Sequence, residues 1–135
     1  MKFERVFSAA KWETEACYCR ALKVDNLIVM GGTVAFDDKG EPFAPGDAYA
    51  QTLRCLEIIE ASIKQLGEDR RSIIATRMYT TDMAFWPAIA RAHKAFFEGH
   101  PPTTMCLEVG KLILPEYVIE IEIQAYAHKG KDNEA

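Results

Sequence analysis

Long apolar runs are missing from this 135-residue chain. No stretch approaches the roughly 20 apolar residues that a membrane helix requires. The opening segment Met1-Lys2-Phe3-Glu4-Arg5-Val6-Phe7 alternates charged with apolar residues, so it lacks the continuous core of a secretory signal. A cytoplasmic location and no membrane partner are the expectation. A basic surplus is missing too: 16 Lys and Arg stand against 20 Asp and Glu, a formal net charge of −4. Binding through phosphate contacts draws on such a surplus, so nucleic acid is not an expected partner. Histidine is scarce, with His93, His100 and His128 spread over different segments. The four cysteines, Cys17, Cys19, Cys55 and Cys106, match neither a CxxC pair nor a zinc-ligand spacing. Neither a metal nor another cofactor is therefore expected. Cys17 and Cys19 fall in a segment that reads as a strand, which sets them on one face about 6.6 Å apart along the chain, a poor geometry for a disulfide. Buried, reduced thiols are the expectation. Repeats and low-complexity tracts are absent as well.

What remains is ordinary globular material, 49% hydrophobic and 27% charged, and enough of it for a single domain. Lys2 to Phe7 alternates as a strand does, and Ala16 to Val24 reads as a second. Asp25-Asn26 supplies a turn, and Leu27-Ile28-Val29-Met30 a third strand that ends at Gly31-Gly32, where a backbone without Cβ can approach a neighbour or a ligand. A turn at Asp37 to Gly40 and a loop through Pro42 and Pro45 follow. The clearest helix opens at Asp47 as N-cap, repeats Leu53, Leu56, Ile59, Ile63 and Leu66 at helical spacing, and stops at Gly67. Ser72 to Thr80 is a β-branched strand. A second helix begins near Asp82, with Phe85 or Trp86, Ile89, Ala92 or His93, and Phe96 on its apolar stripe; Pro87 fits only in its first turn. Gly99 and Pro101-Pro102 end it. Thr104 to Val109 and Val118 to His128 close the domain, which spans residues 1–128, and the polar residues 129–135 read as a frayed tail. The order βββαβαββ predicts an α+β domain, one sheet with two helices on one face.

The other face is the informative one. In the last strand Ile119, Ile121, Ile123, Ala125 and Ala127 point one way, while Glu120, Glu122, Gln124, Tyr126 and His128 point the other. A solvated antiparallel sheet gives this alternation, and so does a subunit interface that holds a polar cleft.

Certain landmarks go further in combination and in order: Tyr18, Gly31-Gly32, Ala48-Tyr49-Ala50-Gln51-Thr52, Met78-Tyr79-Thr80-Thr81-Asp82-Met83, Phe96-Phe97, Pro102-Thr103-Thr104-Met105-Cys106-Leu107-Glu108-Val109, and the segment from Glu120 to Ala127. With them the chain, from about Trp12 to Ala127, resembles the Rid family, also called YjgF and labelled endoribonuclease L-PSP. The resemblance implies a chorismate-mutase-like fold and a homotrimer with ligand clefts between adjacent subunits. It also implies hydrolytic deamination of a small imine or enamine metabolite, in which an arginine holds the substrate carboxylate and a glutamate serves the attacking water.

Mapped onto the family pocket, Tyr18, Gly32, Cys106 and Glu122 match, Gly31 stands where serine is common, and Ala90 where some members carry asparagine. Thr104 occupies the place of the arginine. A hydroxyl then replaces a permanent charge with a bidentate fork, and the charge-assisted hydrogen bonds lost are worth about 1.5–3 kcal/mol each. The segments Tyr18-Cys19-Arg20-Ala21, Thr103-Thr104-Met105 and Leu114-Pro115-Glu116 resemble a branch of Rid-like proteins without that arginine. Glu122 is thus the candidate catalytic residue, and Tyr18, Arg20, Gly31, Gly32, Thr104 and Cys106 are the candidate substrate-binding residues.

Each has a plainer alternative. Glu122 is a general base, or one member of a polar strand face paired with Arg20 or Arg77. Arg20, sharing a strand face with Tyr18, replaces the missing cation or pairs with Glu120 or Glu122. Arg77, on a face with Tyr79, has the same two readings. Tyr18 closes a cleft or is an interface aromatic. Cys106 is a nucleophile, or a buried thiol without an activating base. Two functions from different classes stay open: a deaminase-like hydrolase, and a metabolite-binding trimer without catalysis. The nuclease or translation-inhibitor label of the family is the third, and the acidic balance and missing aromatic-basic groove count against it.

Overall fold

A computed structural model describes residues 1–128, and the tail at 129–135 lies outside the described residues. The strands are β1 (Phe3–Val6), β2 (Ala21–Val24), β3 (Leu27–Thr33), β4 (Ile73–Thr80), β5 (Thr103–Glu108) and β6 (Ile119–Tyr126), and the helices are α1 (Lys11–Ala16), α2 (Ala48–Lys64) and α3 (Trp86–Phe97). The strands form one sheet in the order β1-β2-β3-β6-β4-β5. All pairings are antiparallel except β4 with β5, which are parallel and joined through α3. A parallel pair needs such a crossover, because no tight turn can return the chain to the same end of the sheet.

The expected α+β domain, a single sheet with two main helices, is what forms. Asp47 caps α2, accepting from Ala50 N at 3.0 Å. Leu56, Ile59 and Ile63 on α2 are fully buried, each worth about 1.5–3 kcal/mol relative to exposure. They pack with Ile119, Ile121 and Ile123 of β6, Met78 of β4, and Ile89, Phe96 and Phe97 of α3. Pro87 sits in the first turn of α3, where its missing N–H costs nothing.

Four expectations need correction. The second strand does not begin at Ala16, because Lys11–Ala16 is a short helix. Its sequence, Lys-Trp-Glu-Thr-Glu-Ala, holds good helix formers, and strand β2 starts only at Ala21. Cys17 therefore ends that helix in the left-handed region at φ 60°, and Cys19 lies in the following loop, so the two do not share a strand face. Nor are both buried: Cys17 is exposed and Cys19 half-buried, although all four cysteines are free. Finally, β3 runs through Gly31-Gly32 to Thr33 instead of stopping there.

Candidate functional site

The glycine pair makes a bulge. Met30 pairs with Ile123 and Thr33 with Ile121, so Gly31 and Gly32 together oppose the single residue Glu122. A Cβ on Gly32 would lie 2.1 Å from Glu120 Oε2, whereas one on Gly31 would meet nothing within 4 Å. Gly32 thus makes room for the Glu120 carboxylate, and Gly31 leaves open backbone beside Glu122.

Around Glu122 the register does the assembly. Arg77 is its direct partner on β4, and Tyr79 partners Glu120. The Tyr79 hydroxyl donates to Glu122 Oε1, and Arg77 Nε lies 3.8 Å from the same oxygen. Arg77 Nη2 also donates to Gln124 Oε1 at 3.2 Å. Bonding to the carboxylate is the first cause that raises the Tyr79 phenol above its ordinary value. Glu120 is raised as well, first by burial and then by the charge of Glu122. This cluster lies on the sheet face opposite α2 and α3, with Met105 and Leu107 of β5 in register with Arg77 and Tyr79 and left exposed.

Thr104 and Cys106 are elsewhere. Thr104 pairs with Thr76 and Cys106 with Met78, on the helix side of edge strand β5. Thr76 Oγ1 lies 2.6 Å from Thr104 Oγ1 and 2.9 Å from His93 Nε2 of α3. Burial lowers His93 from its ordinary value and raises the Cys106 thiol, which packs against the core. Strand β4 separates Thr104 from Glu122, and their side chains leave opposite faces of the sheet.

Tyr18 and Arg20 form a third group, again with a correction. Both lie in the loop between α1 and β2, where a two-residue strand period does not apply. Arg20 pairs with neither Glu120 nor Glu122. Its Nε lies 3.8 Å from the buried Glu13 carboxylate, and its guanidinium sits over the Phe36 ring at 5.4 Å. Glu13 also accepts from Ser8 N at 2.9 Å and from the Ser8 hydroxyl. Tyr18, 46% exposed, lines an open depression of about 420 Å³ with Arg5, Phe7, Thr14 and Cys19.

The chain brings together Gly31, Gly32 and Glu122 and sets Thr104 and Cys106 on the opposite face of the sheet, while Tyr18 and Arg20 precede β2, whose Ala21 pairs with Met30 just before the glycine pair. Sequence reading missed Glu120, Gln124 and the Thr76–His93 pair as members of these groups. The two-residue alternation of β6 carried the signal for the first two; nothing local carried the third. Among the described residues no three His, Cys, Asp or Glu side chains are grouped to hold a metal ion, and no helix is long and apolar enough to cross a membrane.

The family model described as "Endoribonuclease L-PSP" matches residues 8–127. The chain is 31% identical over 111 residues to the 3-aminoacrylate deaminase RutC of Acinetobacter baylyi, a match that covers 82% of this chain and 87% of that protein. The crystal structure of Rv2704 from Mycobacterium tuberculosis, described as a member of the YjgF/YER057c/UK114 family, is 32% identical, with a TM-score of 0.84 over 93% of this chain and all of that one. Yeast Mmf1, at 18% identity and a TM-score of 0.80 over 93% of this chain and 98% of its own, shares the fold.

Proposed function

Because the chain belongs to the YjgF (Rid) family, we propose that it hydrolyses the C=N bond of a small imine, or of the imine tautomer of an enamine, in a cleft between subunits of a homotrimer. The observation that carries this reading is the Glu122 carboxylate. It is held by the Tyr79 hydroxyl and flanked by Arg77, with the open Gly31 backbone opposite, on a face that neither main helix covers.

The chemistry requires only water. One oxygen of Glu122 is engaged by Tyr79, and the other is left to orient a water and take its proton as the oxygen attacks the imine carbon. The imine nitrogen gains a proton from solvent as the carbon–oxygen bond forms, and the resulting carbinolamine gives up its hydroxyl proton to solvent as it collapses to the carbonyl. Ammonia departs with a proton supplied by Glu120, whose raised affinity for protons suits it to give one. Imine plus water becomes carbonyl compound plus ammonia, and both carboxyl groups return to their starting states once the proton passes between them.

Assembly supplies the opposite wall. Thr104 is out of reach of Glu122 within its own subunit, so a cleft that uses both takes Thr104 and Cys106 from one copy and Glu122 with the glycine bulge from the next. With Thr104 in place of arginine, that wall has no permanent charge. Arg77 stands on the Glu122 wall, partly engaged by Gln124 and Glu122, so carboxylate-bearing substrates are weakly held.

Ammonia release from 3-aminoacrylate, the compound in the name of the RutC relative, and from a panel of imines derived from common amino acids tests this reading. The wild type is expected to be slow on the carboxylate-bearing imines and Thr104→Arg faster. Glu122→Gln should lower turnover roughly 100-fold or more, the usual scale of general acid–base catalysis. An unchanged rate in Glu122→Gln overturns the mechanism. Binding without ammonia release by any variant favours the second reading, a metabolite-binding trimer, which the loss of the fixed cation supports.

A further inference from the structure

The Thr104 hydroxyl is the outer end of a hydrogen-bond chain whose inner end is buried. Thr76, 1% exposed, stands between Thr104 on the edge strand and His93 on α3. A hydroxyl has one proton and two acceptor lone pairs. With the Thr76 proton directed to Thr104 Oγ1 at 2.6 Å, Thr76 can only accept from His93 Nε2 at 2.9 Å. His93 must then carry its proton on Nε2. In that arrangement every proton in the chain points outward, and the proton of Thr104, an exposed residue, is left without a partner inside it.

The ring is well fixed for this role. His93 packs against Phe97 with centroids 4.6 Å apart, and burial keeps it in the neutral form that has one donor and one acceptor nitrogen. The opposite polarity is the alternative that geometry defines. With Nε2 bare, Thr76 would donate inward, Thr104 would donate to Thr76, and only a lone pair would face outward.

We propose that His93 is a positioning residue which, through Thr76, fixes the Thr104 hydroxyl as an outward donor for a neutral acceptor oxygen, a carbonyl or amide, on the ligand. The proposal rests on the reading that Thr104 faces the ligand. It deepens that reading by replacing a charged carboxylate clamp with a neutral, directional one. A threonine at this position is then a different recognition device and not merely an absent arginine.

Long-range proton–nitrogen correlation spectra of the histidine rings test the relay without any ligand, His93 being assigned by its disappearance in His93→Gln. The wild-type ring is expected to be protonated on Nε2. In Thr104→Val the Thr76 proton loses its outer acceptor and turns to His93, which shifts the ring toward the Nδ1-protonated form. A wild-type ring protonated on Nδ1, or a ring indifferent to Thr104→Val, overturns the proposal. In the second arm, imines of an amino acid and of its amide are compared as substrates. Thr104→Ser and His93→Gln, which keep a hydroxyl and an N–H donor respectively, should retain kcat/KM on the amide-derived imine. Thr104→Val and His93→Phe should lose about tenfold, the scale of one hydrogen bond. Equal losses in His93→Gln and His93→Phe overturn it. If no protein, wild type included, releases ammonia, the proposed hydrolysis fails while the ring spectra still decide the relay.

Discussion

Glu60 on α2 is a carboxylate with two opposed influences. Burial alone would raise it, but Arg70 donates to it from Nε, from Nη2 at 2.8 Å and from its backbone N at 2.9 Å, and the net effect lowers it. Arg70 also donates to Phe96 O at 3.1 Å and covers the Phe96 ring at 3.9 Å, so one guanidinium ties α2 to α3. A carboxylate depressed in the folded state stabilises fully above its unfolded value, near 4.3, and loses that contribution as pH falls through the folded value. Glu60→Gln should therefore cost about 1–2 kcal/mol at pH 7, a figure discounted because the Arg70 side chain is 39% exposed. Urea unfolding at pH 7 and at pH 3 checks it: the gap between the two proteins should narrow in acid, and a constant gap would show that shape, not charge, matters there. At this scale the residue types of the site were legible, but their partners were not. Arg20 read as a partner for β6 because a strand was assigned around it; the loop turns it to Glu13 instead.

Among the elements, α2 shows how much a periodic pattern conveys, and Gln51 shows what it leaves out. The helix, its Asp47 cap and its apolar stripe follow from spacing alone. Gln51, fully buried, bonds no residue of its own helix through its side chain. Its amide nitrogen donates to Phe43 O, Ala44 O and Glu116 O, and its oxygen accepts from Val118 N, which holds two loops against the helix start. A polar residue on a helix otherwise reads as solvent-facing, and only the returning chain near residue 116 gives it acceptors. Gln51→Met keeps the volume and takes the Gln51 partner from Val118 N and Phe43 O, while Ala44 O and Glu116 O still accept from Asp47 N and Gly46 N, so a loss of about 2 kcal/mol is expected in thermal or urea unfolding. A change below about 0.5 kcal/mol would mean that water replaces the lost bonds. The missed helix α1 illustrates the opposite limit. Six residues between two strands carry too few turns for a stripe to emerge, and its chief anchor, the buried Glu13, depends on Ser8 and Arg20.

For the whole molecule, the sheet has one dressed face and one bare one. Leu27, Met105, Leu107 and Tyr126 are each at least 40% exposed, and Leu27 with Tyr126, and Met105 with Leu107, flank the polar strip of Arg77, Tyr79, Glu122 and Gln124. Polar strips bordered by apolar side chains are common where protein surfaces meet. Sedimentation equilibrium should give three times the 15.2 kDa chain mass. Leu107→Glu, which places a charge at the border, should shift the mass toward one chain and reduce any turnover with it. A wild-type monomer at micromolar concentration would leave Thr104 and Glu122 on separate surfaces with no cleft between them. Alternation along β6 made the two-sided sheet legible from the sequence, but strand order did not follow from it. That β6 returns between β3 and β4, and so divides Thr104 from Glu122, depends on long-range pairing that no local window contains.

That central position of the last strand has a temporal side. While the chain is still emerging from the ribosome, β1, β2 and β3 can form one ribbon, and β4 and β5 with α3 another, but neither finds its seam. Two hydrogen-bonding edges stay unmatched until Ile119–Tyr126 arrives to join them. Newborn chains thus pass through a stage with naked strand edges, the condition under which wrong partners are recruited. The same strand that completes the sheet carries Glu120 and Glu122, so the chain cannot present its acidic pair before the sheet is closed.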